Sequence, residues 1–545
     1  MPVSAPLTAY RWFHKCSLLC ILAGNATAAL VMSERTGNPL VDAKWLAVGI
    51  AGAALLVVWA LGCSRETRRW VPLEFLGGLA VMALGIVLSA LASEERGVSL
   101  HTLTAALVPL AWGAMILTTR WSGKDLAMLE GGLIGLAVLV AAIGLGQYYA
   151  PGVVEAILGF GAPTAQGRAA IISTIGNPEY LGGFLAPTAV LALGAAWRAT
   201  RPPRAIGAAR LAGECPSATR PLGARMPWTL YGTGFLIIVW ALLLTEARGA
   251  WIGFGVGALV LWLCLKGSRA KSEAKCARAE DGKREERERD PGRHVGVSVG
   301  ERGARWPTWI LAAGAAAILV LVSLPTPLNP YRTSLLRRIG QAADLHSSSV
   351  RQRLLLYVVA ADMIRAHGWV GAGPDTFSRR FGPALAAMRT PETEGAINRI
   401  AYQLGDLHPG FVHCDWLQFW VENGVLGAAG FLWLIASSAV PVWAAFRQTR
   451  KRARELDARN RPRGIETDPQ FRTLCAGYAA AWFCAAVYSL FAFPFHSPDR
   501  VLLYWTLFGL MGASVGALIA DEAGVAGKAG AESPITPQPP PVRRH

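Results

Sequence analysis

Polar and apolar residues are segregated along this chain into long uncharged runs broken by short charged clusters. Twelve runs approach the roughly 20 residues that a helix needs to cross about 30 Å of hydrocarbon. They fall near 16–33, 45–63, 73–92, 101–119, 127–150, 180–197, 228–245, 249–266, 306–324, 424–446, 473–493 and 501–520. The first has a second reading as a signal peptide, with "ATA" at 26–28 as a cleavage site. Apolar residues continue beyond that site, which favours an uncleaved helix. The pattern predicts an all-α polytopic membrane protein with about twelve transmembrane helices. Residues 1–324 would hold helices one to nine, and 424–520 the last three. Between them lies a large outer loop, 325–423, with amphipathic helices of its own. The piece "SVRQRLLLYVVAADMIRAHGW" (349–369) reads as one of these, lying on the membrane surface. So long a loop without a role would be unusual.

Composition agrees with the pattern. Charged residues are 16% of the 545, against roughly 25% in an ordinary soluble domain. With the N-terminus inside, the inner segments carry 37 of the 53 lysines and arginines, and the short outer loops only six. That asymmetry predicts both termini in the cytoplasm and the long loop on the outer side of the membrane. The net charge of +17 then follows from orientation and anionic lipid, and calls for no nucleic acid. Segments 198–227 and 266–305 read as charged cytoplasmic loops, and 521–545 as a disordered cytoplasmic tail. Of nine cysteines only Cys414 falls in the long outer loop, so no disulfide is expected there.

Five polar sites share the outer side: "GRAAIISTIGNPEYLGGFLAP" (167–187), "TEARGAW" (245–251), the helix bearing Arg353, "FVHCDWLQFWVENGVLG" (411–427) and "FPFHSPDR" (493–500). Arg168, Arg248, Arg353 and His413 come from four of them. Arginine keeps its charge beside lipid, and its planar fork suits phosphate oxygens. A lipid-borne diphosphate is the anion that such a set fits best: its charge grows as it leaves, so fixed cations stabilise the transition state. His413 has a proton affinity suited to a general base.

Taken singly, each residue has a plainer reading. Arg248 pairs with Glu246 or snorkels; Arg351 and Arg353 bind headgroups; Asp415 is a helix N-terminal charge; Gly176-Asn177-Pro178 is a turn. No metal site is expected, because His408 and His413 are five apart and lack a third ligand. No Asp-x-Asp pair occurs in the outer loops to hold a metal on a diphosphate, so the arginines would do that work.

In order along the chain, "IGLGQYYAPG", "GRAAIISTIGNPEYLGGFLAP", "LLLTEARGAWIGF", "VRQRLLLYVVAADMIRAHGWVGAGPDTF", "HCDWLQFWVENGVLG" and "FPFHSPDRVLLYWTLFGL" resemble the O-antigen ligase family, which includes polysaccharide ligases, polymerases and some protein O-oligosaccharyltransferases. The resemblance runs from about Gly131 to Gly516. It implies a bacterial inner-membrane protein whose long loop faces the periplasm, a fold similar to the C-type membrane glycosyltransferases and, with no cofactor, metal or nucleotide, transfer of a glycan from undecaprenyl diphosphate. The acceptor would be lipid A-core or a similar hydroxyl; a polymerase or a protein O-oligosaccharyltransferase would use the same donor. It further implies diphosphate binding by Arg168, Arg248 and Arg353, with His413 as the base. Arg351, Asn177, Glu246, Asp415, Gln418, Glu422 and His496 would support, with Asp415, Gln418 and Glu422 orienting His413 or gripping sugar hydroxyls. Two positions depart from the family pattern: Cys414 stands where asparagine usually follows the histidine, and Glu246 where a small polar residue is commoner. The rival of another class is a lipid-glycan transporter, which would carry charges near the bilayer midplane.

Overall fold

The computed structural model describes residues 5–33, 41–64, 67–69, 73–158, 167–200, 226–265, 306–327, 348–388, 409–457 and 469–531, with a few single residues between. Apart from an isolated bridge between Arg68 and Thr119, the regular elements among them are helices. That is the form in which an apolar run satisfies its own backbone in hydrocarbon. The helices are α1 (Ala5–Leu30), α2 (Asp42–Gly62), α3 (Leu73–Ala92), α4 (Arg96–Thr118), α5 (Gly123–Tyr149), α6 (Pro151–Leu158), α7 (Pro178–Ala199), α8 (Met226–Leu244), α9 (Arg248–Leu265), α10 (Trp306–Ser323), α11 (Ser348–His367), α12 (Phe377–Ala387), α13 (Asp415–Asp457), α14 (Pro469–Tyr488) and α15 (Val501–Ala531).

Among the described residues nine helices are long and apolar enough to cross a membrane. The other three expected positions hold two shorter apolar helices, Trp228–Leu244 and Leu311–Ser323, and α14. The chain is thus an all-helical, polytopic membrane protein. Of the expected cytoplasmic loops at 198–227 and 266–305, residues 201–225 and all of 266–305 lie outside the described residues, as does 532–545. The last helix continues to Ala531, so the start of the stretch expected to be disordered is helical. Its alanines favour that conformation.

α7 is the most enclosed span: fifteen of its 22 residues are buried, and it packs on α8 and α14. Its start is set locally. Pro178 opens the helix, and the Asn177 side chain accepts the Glu179 N–H at 2.8 Å, so an orphan donor of the first turn is capped. α3 lies along α13, and Gly85 approaches the backbone of Gly427 so closely that a Cβ there would collide with it. Small residues allow such contact where helices gain nothing by hiding from water.

The outer segment has a small core of its own. Leu355, Leu356, Val359, Ala360 and Met363 of α11 pack with Phe377 and Phe381 of α12 and with Val412 and Val421. The expected amphipathic helix is therefore present, with its apolar face turned onto α12 and α13 while Leu354 and Val358 remain exposed.

The expected span at 424–446 begins nine residues earlier, at Asp415, and is broken at Gly424 (φ 65°, ψ −167°). Backbone groups freed by the break, two carbonyls and an amide, bond to the loop after α11. Ala372 N–H donates to Val421 O at 2.8 Å, Gly373 N–H to Glu422 O at 3.0 Å, and Val425 N–H to Trp369 O at 3.3 Å. Non-helical backbone at this depth is tolerable because protein, not lipid, surrounds it. Only glycine suits this conformation, and a Cβ on Gly424 would strike the Val370 carbonyl carbon. Gly424→Ala is therefore expected to destabilise the fold by about 2 kcal/mol or more, read as a lowered unfolding temperature in detergent. Gly97→Ala, where a Cβ meets nothing within 4 Å, is the control. Equal melting of both variants would show that the break is not required.

Candidate functional site

His413 stands in the short stretch between the outer segment and α13, and its backbone is left-handed (φ 60°). A histidine there is strained, and such strain persists only where surroundings impose it. They do so from both sides. Ahead of it, Val412 N–H donates to Gln418 Oε1 at 2.7 Å. Behind it, Asp415 N–H is shared between Ser489 O (2.9 Å) and Ala492 O (3.0 Å). The imidazole is half-buried and meets the Phe493 ring edge-on at 4.9 Å between centroids. Burial pushes its pKa below the ordinary histidine range. The Glu179 charge opposes that, and Arg353 and Arg500 reinforce it. His413 is therefore neutral at neutral pH and able to accept a proton.

The cations gather around the start of α7. The Arg353 guanidinium pairs with the Glu179 carboxylate across 174 residues of sequence. Asn177 caps the same turn. One turn further, Gly182 lets the helix meet the α8–α9 turn: a Cβ on it would lie 2.6 Å from the Ala247 methyl and 3.0 Å from Thr245 Oγ1. Arg168, in the 3₁₀ turn Gly167–Ala170, donates Nε–H to Thr245 O at 2.7 Å. Arg248 opens α9 beside that turn, after Glu246, whose backbone is left-handed (φ 50°). Arg168, Arg248, Arg353 and His413 are thus brought to one end of α7. Arg351 is half-buried in the first turn of α11.

Asp415 and Glu422 are placed differently from the expected support of His413. Both face His496. Asp415 Oδ1 lies 2.6 Å from His496 Nδ1, and its Oδ2 accepts the Phe495 N–H at 3.1 Å. Glu422 Oε2 lies 3.8 Å from His496 Nε2. Burial alone would lower the His496 pKa, but the Asp415 hydrogen bond and the charges of Asp415, Glu422 and Asp375 raise it above the ordinary range. The carboxylates around His496 favour its protonated form, whereas burial and the arginines favour the neutral form of His413. Among the described residues no group of three or more His, Cys, Asp or Glu side chains is arranged to hold a metal ion.

Three further residues stand beside these groups. Glu179 looks like a helix N-terminal acid. Tyr357 lies in the fields of Arg353, Glu179 and Cys414, and burial pushes its pKa up to about 12, so its hydroxyl keeps its proton. Arg500 is fully buried, its guanidinium 4.2 Å from the Tyr180 ring centroid and 5.9 Å from that of Phe493. The signal that picks out Arg168 and Arg248, an arginine in a short outer loop, applies to Arg500 as well.

The O-antigen ligase family matches residues 233–432. That span includes the α8–α9 turn with Arg248, the α11 helix with Arg353, and His413; it leaves out Arg168, His496 and Arg500. No curated protein and no solved structure matches the chain.

Proposed function

We propose that this O-antigen ligase-like membrane protein moves a glycan from undecaprenyl diphosphate to a hydroxyl of lipid A-core, at the periplasmic face of the inner membrane. What supports the reading most is one juxtaposition. A histidine kept neutral by burial and by Arg353 and Arg500 stands at the end of α7 where arginines from three further segments gather. The acceptor oxygen attacks the anomeric carbon while the bond from that carbon to the diphosphate oxygen breaks. The departing oxygen keeps the electron pair, and His413 takes the acceptor's proton. Displacement in one step inverts the anomeric configuration. Arg168, Arg248 and Arg353 neutralise the leaving diphosphate, and this supplies what a divalent metal supplies in other diphosphate chemistry.

Arg353→Ala is expected to lower kcat/KM for the lipid-linked donor about a hundredfold, with partial recovery in Arg353→Lys. Unchanged donor kinetics in Arg353→Ala would remove it from the diphosphate site. The acceptor is tested by the fate of the glycan when purified protein receives the donor, lipid A-core and an acceptor protein together. Glycan on lipid A-core supports the ligase. Lengthening of the lipid-linked glycan makes the chain a polymerase, and a glycosylated protein makes it an O-oligosaccharyltransferase. Intact donor moved across the bilayer would overturn transfer altogether.

A further inference from the structure

Arg500 is a fully buried cation, and the interior of a membrane protein is a poor place for one. Its Nε forms an ion pair with Asp499 Oδ2 at 2.9 Å, but neither Nε nor Nη2 has a hydrogen-bond partner among the described residues. Well-packed apolar side chains often stabilise a core more than a buried ion pair does. The neighbours of Arg500 suggest why the charge is there. Its Nη1 lies 3.4 Å from Tyr488 Oη. Tyr488 in turn donates its hydroxyl to the backbone carbonyl of Glu179 at 2.7 Å. Glu179 is the residue whose carboxylate holds Arg353. On its other side the guanidinium stacks on Tyr180, the residue after Glu179, whose ring meets Phe493 at 5.2 Å. Phe493 is the ring against which His413 rests.

We propose that Arg500 is a positioning residue for glycan transfer: through Tyr488 and Tyr180 it fixes the Glu179 turn, and through that turn it sets the Arg353 guanidinium relative to His413. The inference rests on the transferase reading above. With no exposed surface Arg500 touches no substrate; it acts by geometry and by field. The geometric part requires the planar fork, which offers a stacking face and edge donors at once, so lysine cannot replace it. The field part requires only the charge. The charged groups bearing on His413 are Glu179 of α7, Arg353 of α11 and Arg500 before α15. Glu179 favours the protonated ring, and the two arginines disfavour it.

The test is donor kinetics with a pH profile for Arg500→Lys, Arg500→Gln and Tyr488→Phe, each also made in an Arg353→Ala background. Tyr488→Phe removes one hydroxyl and keeps the ring. It is expected to lower kcat/KM for the donor about tenfold, because a misplaced binding group forfeits part of its effect. Arg500→Lys is expected to lose at least as much. In the Arg353→Ala background both changes should add little, since they act through that side chain. Arg500→Gln is expected to move the acid limb of the profile to higher pH, and Arg500→Lys to leave it in place. Should Arg500→Lys fail to fold, Tyr488→Phe and its double variant carry the test. Wild-type kinetics in Tyr488→Phe, or losses that add in full to that of Arg353→Ala, would overturn the proposal. No donor turnover by the wild type would overturn the transferase reading itself, and the inference with it.

Discussion

His413→Ala is expected to lose glycan transfer by about a thousandfold while keeping the fold. The ring is half-buried and packs edge-on against Phe493, so its removal leaves a modest void. The left-handed backbone at position 413 is imposed by bonds at Val412 and Asp415, not by the imidazole. The loss should therefore appear in kcat with little change in melting temperature or in donor binding. The pH profile of the wild type follows from the same geometry. His413 has a pKa lowered from 6.5, so the neutral, proton-accepting form persists below 6.5. The acid limb of kcat/KM should fall at a pH lower than that of an ordinary histidine, with activity rising through it as pH increases. An acid limb at or above 6.5, or wild-type turnover in His413→Ala, would remove His413 from the role of base.

The largest effect on stability is expected at Asp415. Its carboxylate is fully buried and serves two partners, the His496 ring and the Phe495 N–H. Asp415→Ala orphans both and should destabilise the protein by about 3 kcal/mol, read as a lower unfolding temperature in detergent. Asp415→Asn, which can still accept from Phe495 N–H, should lose less. His496 has a folded pKa raised above 6.5. Its contribution to stability is complete below that unfolded value and is lost as pH rises through the folded one. Melting of the wild type should thus decline across that window, and Asp415→Ala should flatten the decline. A variant as stable as wild type with the same pH dependence would show that the Asp415–His496 pair does not hold the start of α13.

The twelve apolar runs were legible because hydrocarbon imposes one rule on composition and length, and helices occupy all twelve places. The break at Gly424 was not. Nothing in "WVENGVLG" distinguishes a glycine inside a helix from one at φ 65°; the difference comes from the 369–373 backbone, fifty residues away, bonding the freed backbone groups. In the site, Arg168 and Arg248 stood out because basic residues are scarce in the short outer loops, and Arg353 and His413 because they lie in helical stretches of the long outer segment that lead back to the membrane. Their partners did not, since an acid after Asn-Pro reads as an ordinary helix start until Arg353 is seen upon Glu179. The spacing of Asp415 and Glu422 puts both on one helix face. The sequence does not say which histidine that face meets, and His496 arrives from the loop before α15.

The most direct test of the central claim is undecaprenyl diphosphate release in proteoliposomes holding the purified protein, the lipid-linked glycan and lipid A-core, with a metal chelator and no nucleotide. Release that proceeds in chelator and disappears in His413→Ala is the predicted result. Release that needs added divalent metal, or that continues undiminished in His413→Ala, would contradict transfer by a histidine base over an arginine-bound diphosphate.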